Sequence, residues 1–537
     1  MKLQNKISLP YINDICLTLP SRLTRLFYIV WFFAFLILFS HTAKQYQHKT
    51  LIIFLTVILY ASVFLAVLRF RRAVDKLPDR IIYPLIFSIL LFITVLLIWS
   101  GCTMCVAPFN DTGSAYYAAA EVLKYGHISR EVNQYTSCHW ATHTSNHDYF
   151  LIYPNNLFLV FYQVCYFKIL SLFTSIDMYS MAGYRVVAVL NSVSIAAAVF
   201  YGVLTAKKCR GNLAALLLLF FSMIFVPYYL HAYKAYSDTL SIPYIAAALF
   251  YYTIGQKTEP SSNCRFKKYS FYILCGISLA LAALIKGSAL ILFVAVIVHL
   301  ILQSKPLLQK LMVFLLLFTS VFLILSGWSV YKNNCSWIDT SRADEFEFPS
   351  IHWVMMASVD SGSYRQSDFD YTQSFPTLAQ KREADSEEFL RRVKSYGSCT
   401  NYLRFEIQKM AAVLADGKYA QTEHLQQTFS RAPSLANWLL NEGDYYNLFY
   451  CYITILITLF YFSVLTGSLL GIARGTLHTD TLLHITLFGV LLFFAFWEFK
   501  SRYLLNFVPV FMLTLVFSWA DWEQMILIRR NSYQKNL

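Results

Sequence analysis

The sequence predicts an all-α, polytopic membrane protein, and three observations carry that prediction. Of its 537 residues 57% are hydrophobic and only 14% are charged. Mean hydropathy is +0.49, so most of the chain cannot form a water-facing surface. The apolar residues are gathered into long runs, and the cations collect in short segments between them.

A helix needs roughly 17 to 25 apolar residues to cross a bilayer. Candidate spans are 24–41, 51–68, 81–100, 181–205, 213–230, 237–254, 270–285, 288–303, 311–330, 446–471, 481–497 and 503–520. The leader before the first run carries Lys2, Lys6, Arg22 and Arg25 and lacks a small-residue cleavage pattern, so it reads as a retained cytoplasmic segment. Short cytoplasmic loops collect Lys and Arg. Arg69, Arg71, Arg72, Lys76 and Arg80 mark the segment after the second span as inside. Lys207, Lys208 and Arg210 mark another, as do Lys257, Arg265, Lys267 and Lys268, then Lys305 and Lys310, and finally the tail cations Arg529, Arg530 and Lys535.

These clusters agree on twelve spans with both termini inside, provided that the apolar segment 151–173 is re-entrant or lies along the outer interface. Its opening Tyr153-Pro154-Asn155-Asn156 suits such a start. If it crosses, there are thirteen spans and one basic loop lies outside. Between the spans two larger segments fall outside, 101–150 and 331–445. In the second, 381–396 and 402–414 place apolar residues at helical spacing among charges and predict amphipathic helices on the outer face. The expected organisation is an N-terminal transmembrane domain over 1–330 that contains the outer loop 101–150, an extracytoplasmic cap over 331–445, and C-terminal helices with a cytoplasmic tail over 446–537.

The net charge of +14 is spread over the inner loops, so it reads as topology and contact with membrane lipid, not as a nucleic-acid surface. Eleven cysteines give no disulfide framework. Cys102 and Cys105 have the spacing of a redox or metal pair, yet no second pair or histidine set completes a metal site. No metal ligands are therefore assigned, and dependence on a divalent ion stays open. No Walker loop or dinucleotide fingerprint appears, so a soluble nucleotide donor is not indicated.

The polar residues that interrupt the apolar pattern share the outer side in this topology. They are Asp111 at the head of a Tyr- and Ala-rich stretch, Tyr153 to Asn156, Lys234-Ala-Tyr236-Ser-Asp238, Lys286-Gly287, and Glu498-Phe-Lys500-Ser-Arg502-Tyr503. Ionisable groups near a membrane cost free energy and mark functional sites. Lys286, Arg502, Lys500 and Lys234 suit a phosphate, the arginine as a planar fork and the lysines as point charges. Asp111 suits a general base for an acceptor hydroxyl. Each has a plainer reading. Asp111 would cap a helix, Lys286 would snorkel to headgroups, Glu498, Lys500 and Arg502 would pair at the surface, and His352 with Trp353 would anchor a helix at the interface.

The same residues, in the same order along nearly the whole chain, resemble the integral-membrane glycosyltransferases of the GT-C type. The resemblance lies in Asp111 ahead of the Tyr-Ala-rich helix, Tyr153-Pro-Asn-Asn156, Tyr236-Ser-Asp238, Leu284-Ile-Lys286 and Glu498-Phe-Lys-Ser-Arg502-Tyr-Leu-Leu505. It is similar to the branch of the protein O-mannosyltransferases and aminoarabinose transferases, with one departure: Asp111 is followed by Thr112 where those transferases have Asp-Glu. Segment 331–445 also resembles a bacterial subgroup of integral membrane proteins through Pro349-Ser-Ile-His352-Trp353-Val-Met-Met356, Gly362-Ser-Tyr364, Asp370 and Ala415-Asp-Gly-Lys-Tyr419.

The resemblance implies a GT-C-like bundle of about 12 to 13 transmembrane helices. It further implies transfer, with inversion, of a sugar from a polyprenyl-phosphate donor to a cell-envelope glycan, lipid or protein acceptor. Asp111 would be catalytic, Lys286, Arg502, Lys500 and Lys234 would bind phosphate, and Tyr153, Asn155, Tyr236, Asp238, Glu498 and His352 would bind substrate. A transporter or flippase of lipid-linked precursors is the alternative, but it predicts a midplane site and matching interruptions in two halves. A non-catalytic scaffold would leave Asp111 and Lys286 without a shared purpose. Asn110-Asp111-Thr112 and Asn334-Cys335-Ser336 are N-glycosylation patterns. In an endoplasmic lumen a glycan would sit beside the expected base, so a bacterial plasma membrane with an outward-facing site is preferred.

Overall fold

A computed structural model describes residues 10–136, 145–258, 265–420 and 433–535. Lys2 and Lys6 of the leader, and the side chains of Arg265, Arg529, Arg530 and Lys535, lie outside that description. Among the described residues the chain is helical and has no strand, as lipid demands of a backbone that must satisfy its own hydrogen bonds. The first helices are α1 (Pro10–Lys44), α2 (Lys49–Asp75), α3 (Asp79–Thr103), α4 (Asn110–Tyr125), α5 (Asn146–Ile152), α6 (Leu157–Leu170) and α7 (Met181–Arg210). Then come α8 (Asn212–Ile224), α9 (Val226–Leu230), α10 (Ser237–Leu240), α11 (Ile242–Lys257), α12 (Arg265–Ile285), α13 (Leu290–Leu302) and α14 (Leu307–Asn333). Helices α15 (Ala343–Phe346), α16 (Ser350–Ala357), α17 (Gln366–Gln373), α18 (Leu378–Ser395), α19 (Cys399–Ala415) and α20 (Pro433–Leu439) form the cap. The chain closes with α21 (Tyr446–Arg474), α22 (Thr479–Phe496) and α23 (Val508–Lys535).

Among the described residues nine helices are long and apolar enough to cross a membrane, or ten if one bent pair counts as a span. The protein is thus an all-α, multi-pass membrane protein. In the apolar windows of α2 and α14 only 17% of residues are buried, against 94% for the segment Ser501–Leu527. The last helix therefore runs through the centre, and α2 and α14 face lipid. Close approach between helices uses small residues: a Cβ at Gly471 would run into the Tyr28 ring, and one at Gly467 would meet His484 Nε2 at 2.7 Å. His484 in turn accepts from Trp31 Nε1 at 3.0 Å.

Several of the twelve expected spans are not continuous α-helix. Segment 213–230 breaks at Phe225, segment 237–254 has a joint at Ser241, and segment 288–303 opens with a 3-10 turn, Gly287–Ala289. Hydropathy counts apolar side chains and does not register a backbone break. The expected re-entrant segment is bent by 110° where Asn146–Ile152 meets Pro154–Leu170. The ring of Pro154 fixes φ at the first position of the 3-10 turn Pro154–Asn156, and α5 cannot continue through it. After α22 the chain runs extended through Trp497 and Lys500 into the 3-10 turn Ser501–Phe507. Irregular backbone at membrane depth is tolerated where it lines a cavity or is buried in protein: the breaks at Pro154, Gly287 and Trp497–Lys500 line one, and those at Phe225 and Ser241 are buried.

The predicted amphipathic helices of the cap are α18 and α19. Arg392 holds Asp368 through two bonds of 2.9 and 2.7 Å. Lys409, paired with Glu406 at 2.7 Å, donates to the carbonyl oxygens of Ala357 and Ala495, so it ties α16 to α22. The Phe499 amide donates to the Gly362 carbonyl at 3.0 Å. Far from the cap, at the other ends of the helices, Arg210 and Arg474 converge on Asp521 at 2.5 and 3.0 Å, and Arg71 pairs with Glu523 at 2.7 Å.

Candidate functional site

The interrupted helices surround a cavity of about 650 Å³ between the bundle and the cap. It is lined by Asp111, Tyr153, Asn155, Lys234, Tyr236, Lys286, Glu498, Lys500 and Arg502, together with Tyr149, Asn156, Ser288, Phe348, Trp353, Tyr364, Trp497 and Tyr503. Of the residues singled out in the sequence, nine line it. Asp238 lies just behind, bonded to two of them, and His352 does not reach it.

Asp111 sits in the first turn of α4, whose N-terminal flanking residue is Phe109, not Asp111. The preceding Asn110 takes φ 50°, which turns the chain sharply from the extended Phe109 into the helix. The helix N-terminus favours a carboxylate there. Tyr149 donates to Asp111 Oδ1 at 3.2 Å, and Arg502 Nη2 stands 3.5 Å from Oδ2. Asn156 fixes the phenols around it by donating to Tyr149 Oη at 2.8 Å and to Tyr236 Oη at 3.2 Å. The carboxylate is thus aimed by two groups, while its side chain keeps 26% exposure on the cavity side.

Two of the four cations are already committed. Lys286 follows α12 and pairs with Asp238, its ammonium lying 4.4 Å from the Tyr503 ring centre. It does not snorkel to the surface. Arg502 bridges the two aspartates, with Nη1 3.3 Å from Asp238. Lys234 and Lys500 differ: among the described residues neither has a carboxylate within 4 Å. Lys234 lies in the turn between α9 and α10 and is buried, and it also borders a small enclosed pocket with Thr112 and Gln163. Burial, then the nearby Arg502 charge, push its ammonium down to about 7. Lys500 lies over the Tyr364 ring at 5.7 Å.

Glu498 is buried and accepts from Tyr503 Oη at 3.1 Å, and burial raises its pKa. Ser501 donates to Asp416 Oδ2 at 2.6 Å. The same carboxylate accepts the amides of Lys418 and Ala420, so the cap holds the Glu498–Arg502 strip from above. Four cations therefore face three carboxylates, and an anion entering the cavity meets cations that no protein carboxylate has claimed. Among the described residues no group of three or more His, Cys, Asp or Glu is placed to hold a metal ion, and neither Cys102 nor Cys105 forms a disulfide.

His352 is buried in the cap. Its ring packs against Phe348 and Trp353, with centroids 4.6 and 4.7 Å away, and it is these two neighbours that line the cavity. Thr372 Oγ1 donates to Asp385 Oδ1 at 2.7 Å, so its lone pairs are what face His352 Nδ1 at 2.7 Å. This assigns the ring proton to Nδ1. Tyr149, Trp353 and Tyr503 were not marked as site residues in the sequence: Tyr149 is one of 38 tyrosines and carries no positional signal, while Trp353 and Tyr503 lay in quoted motifs but read as an interface anchor and as a neighbour of the charges. Asn156 was at hand in the Tyr-Pro-Asn-Asn motif.

Residues 21–522 match a family described as conserved hypothetical integral membrane protein. No curated protein sequence matches the chain. Among solved structures, the archaeal oligosaccharyltransferase AglB from Archaeoglobus fulgidus, in complex with an inhibitory peptide and a dolichol-phosphate, is similar at 12% identity and a TM-score of 0.43. The alignment covers 80% of this chain and 50% of that one, so this chain spans about half the length of AglB. ArnT from Cupriavidus metallidurans, bound to undecaprenyl phosphate, is similar at 13% identity and a TM-score of 0.31, over 79% of this chain and 77% of that one. At these TM-scores neither fixes the role of a residue here.

Proposed function

The chain belongs to the conserved hypothetical integral membrane protein family, and on that premise we propose that it is a membrane glycosyltransferase that takes a sugar from a polyprenyl-phosphate donor and passes it, with inversion, to an acceptor in the cell envelope. The observation that carries this reading is the pairing of functions in one cavity. Asp111 is aimed into it by Tyr149 and Arg502, beside Lys234 and Lys500, cations with no carboxylate within 4 Å among the described residues.

In the proposed reaction the donor phosphate lies against Lys234 and Lys500. Lys286 and Arg502, held in place by Asp238, complete the positive wall. Asp111 accepts the proton of the acceptor hydroxyl as its oxygen attacks the anomeric carbon, and the bond from that carbon to the phosphate oxygen breaks. The electron pair leaves on the polyprenyl phosphate, whose growing charge the cations stabilise. Tyr236 and Glu498 supply polar contacts to the sugar, and Ile285, Phe493, Phe494 and Trp497 offer the lipid chain an apolar wall. The site faces outward across a bacterial plasma membrane in this reading.

The test compares purified wild type with Asp111→Asn in transfer of radiolabelled sugar from a panel of polyprenyl-phosphate sugars to an extract of envelope acceptors. The reading expects transfer by wild type and at least about a hundredfold loss in the folded variant, the scale of general-base catalysis. Equal transfer by both removes Asp111 from the chemistry.

A further inference from the structure

The two walls of the cavity differ in chemistry. One, from α12 and α22, presents Ile285, Phe493 and Phe494. The other, from α5, the Pro154–Asn156 turn and α16, mixes aromatic faces with neutral polar groups: Tyr149, Tyr153 and Trp353 beside Asn155 and Ser350. On this second wall the Tyr149 and Tyr153 ring centres are 4.9 Å apart and tilted by 41°. Tyr153 and Trp353 follow at 5.8 Å and 36°. Tyr153 and Trp353, both partly exposed, form a shallow shelf with the buried Tyr149 behind it, and Asn155 and Ser350 stand exposed at its edge.

From this arrangement we infer that Tyr153 and Trp353 form a carbohydrate subsite, and that the acceptor is a glycan whose pyranose ring stacks on the shelf. The inference rests on the transferase reading of the cavity. A pyranose has an apolar C–H face and a rim of hydroxyls. Aromatic rings are negative on their faces and attract such C–H groups, while amide and hydroxyl groups at the border meet the rim. A lipid chain would gain nothing from that border. The shelf is also built to stay in place: Trp353 is wedged by the His352 ring, which Thr372 and Asp385 anchor from behind. His352 is thereby a positioning residue for the shelf. An ordered platform binds with less loss of side-chain freedom.

Saturation-transfer NMR on the full-length protein in detergent micelles tests this, with cellotriose, maltotriose, mannotriose and chitotriose as probes and a Gly-Ser-Gly tripeptide as control. The expected result is saturation of pyranose C–H protons in at least one trisaccharide and none in the tripeptide. Trp353→Ala weakens binding by about tenfold, the scale of one aromatic contact, and Trp353→Phe keeps most of it. Both variants are checked for an unchanged melting temperature. Absence of signal from all four sugars, or full binding by a folded Trp353→Ala, overturns the proposal. Donor breakdown is followed on the same sample. Breakdown without trisaccharide contact refutes the shelf and leaves the transferase reading standing. Trisaccharide contact with every donor left intact supports the shelf and refutes the transferase reading.

Discussion

Lys234 is cationic or neutral near physiological pH according to what enters the cavity. Its ammonium is pushed down to about 7 by burial, so in the free protein it is charged below that pH and neutral above it. If it binds the donor phosphate, kcat/KM for the donor falls as pH rises through about 7, because that ratio reports groups of the free enzyme. Lys234→Arg stays charged and should lose this limb, and a wild-type profile with no limb near 7 would remove Lys234 from phosphate binding. Lys286 behaves differently because it is committed to Asp238. Lys286→Met leaves that buried carboxylate with Arg502 alone, so it should cost up to about 3–5 kcal/mol of stability, the scale of a broken buried pair, and lower the melting temperature as well as activity. Calorimetry of the two variants in detergent separates the cases. The sequence marked both lysines as polar interruptions, but not which was paired, since Asp238 and Arg502 lie far apart in the chain. His352 was singled out through the resemblance alone, and it acts one layer behind the residues that touch the cavity.

Helix breaks do at the level of the element what charges do at the level of the residue. The expected re-entrant segment carried its signal in Tyr153-Pro154-Asn155-Asn156, whereas at Phe225 the signal, Pro227 at the start of α9, lies within a run that hydropathy reads as apolar. Of the left-handed backbone points among the cap's described residues, Gly362 is the one that bonds to the strip bearing Glu498. Gly362 has φ 66°, its carbonyl accepts from Phe499, and a Cβ there would collide with the Lys409 side chain. Gly362→Ala should therefore cost about 1–3 kcal/mol and raise hydrogen exchange in 497–502, and unchanged exchange there would show that the Glu498–Arg502 strip does not hang on the cap. The His352–Thr372–Asp385 chain makes a second prediction. His352 is pushed down to about 3 by burial, so its contribution to stability is lost as pH falls from 6.5 towards 3. Asp385 is pushed up to about 6, again by burial, so its contribution is present at acid pH and lost as pH rises through 6. The two slopes oppose each other between about 4 and 6. Wild-type α16 should keep nearly constant exchange protection over that range, and Asp385→Asn, which leaves His352 alone, should lose protection as pH falls.

Apart from the pairs inside the cap, two clusters of buried charge are joined by the central helix. From Arg502 at the site to Asp521 is nineteen residues of sequence, roughly 30 Å along a helix and about the thickness of the hydrocarbon core. Fold class was legible because it follows from composition and from the length of apolar runs. The far cluster was not. Arg71 and Arg210 read as topological cations, while their pairing with Glu523 and Asp521 is set by tertiary approach of helices distant in sequence. With Arg474 also on Asp521 and Asp480 3.8 and 3.9 Å from the two arginines, the cluster fastens the ends of α2, α7, α21, α22 and α23. Asp521→Ala would leave two buried guanidinium groups sharing Asp480, at a cost of about 3–5 kcal/mol. Because the change lies a membrane's thickness from the cavity, KM for the donor should stay at its wild-type value in the folded fraction while the melting temperature drops. A shift in KM without a loss of stability would mean that the two charge clusters are coupled through the central helix and that the far end does more than fasten the bundle.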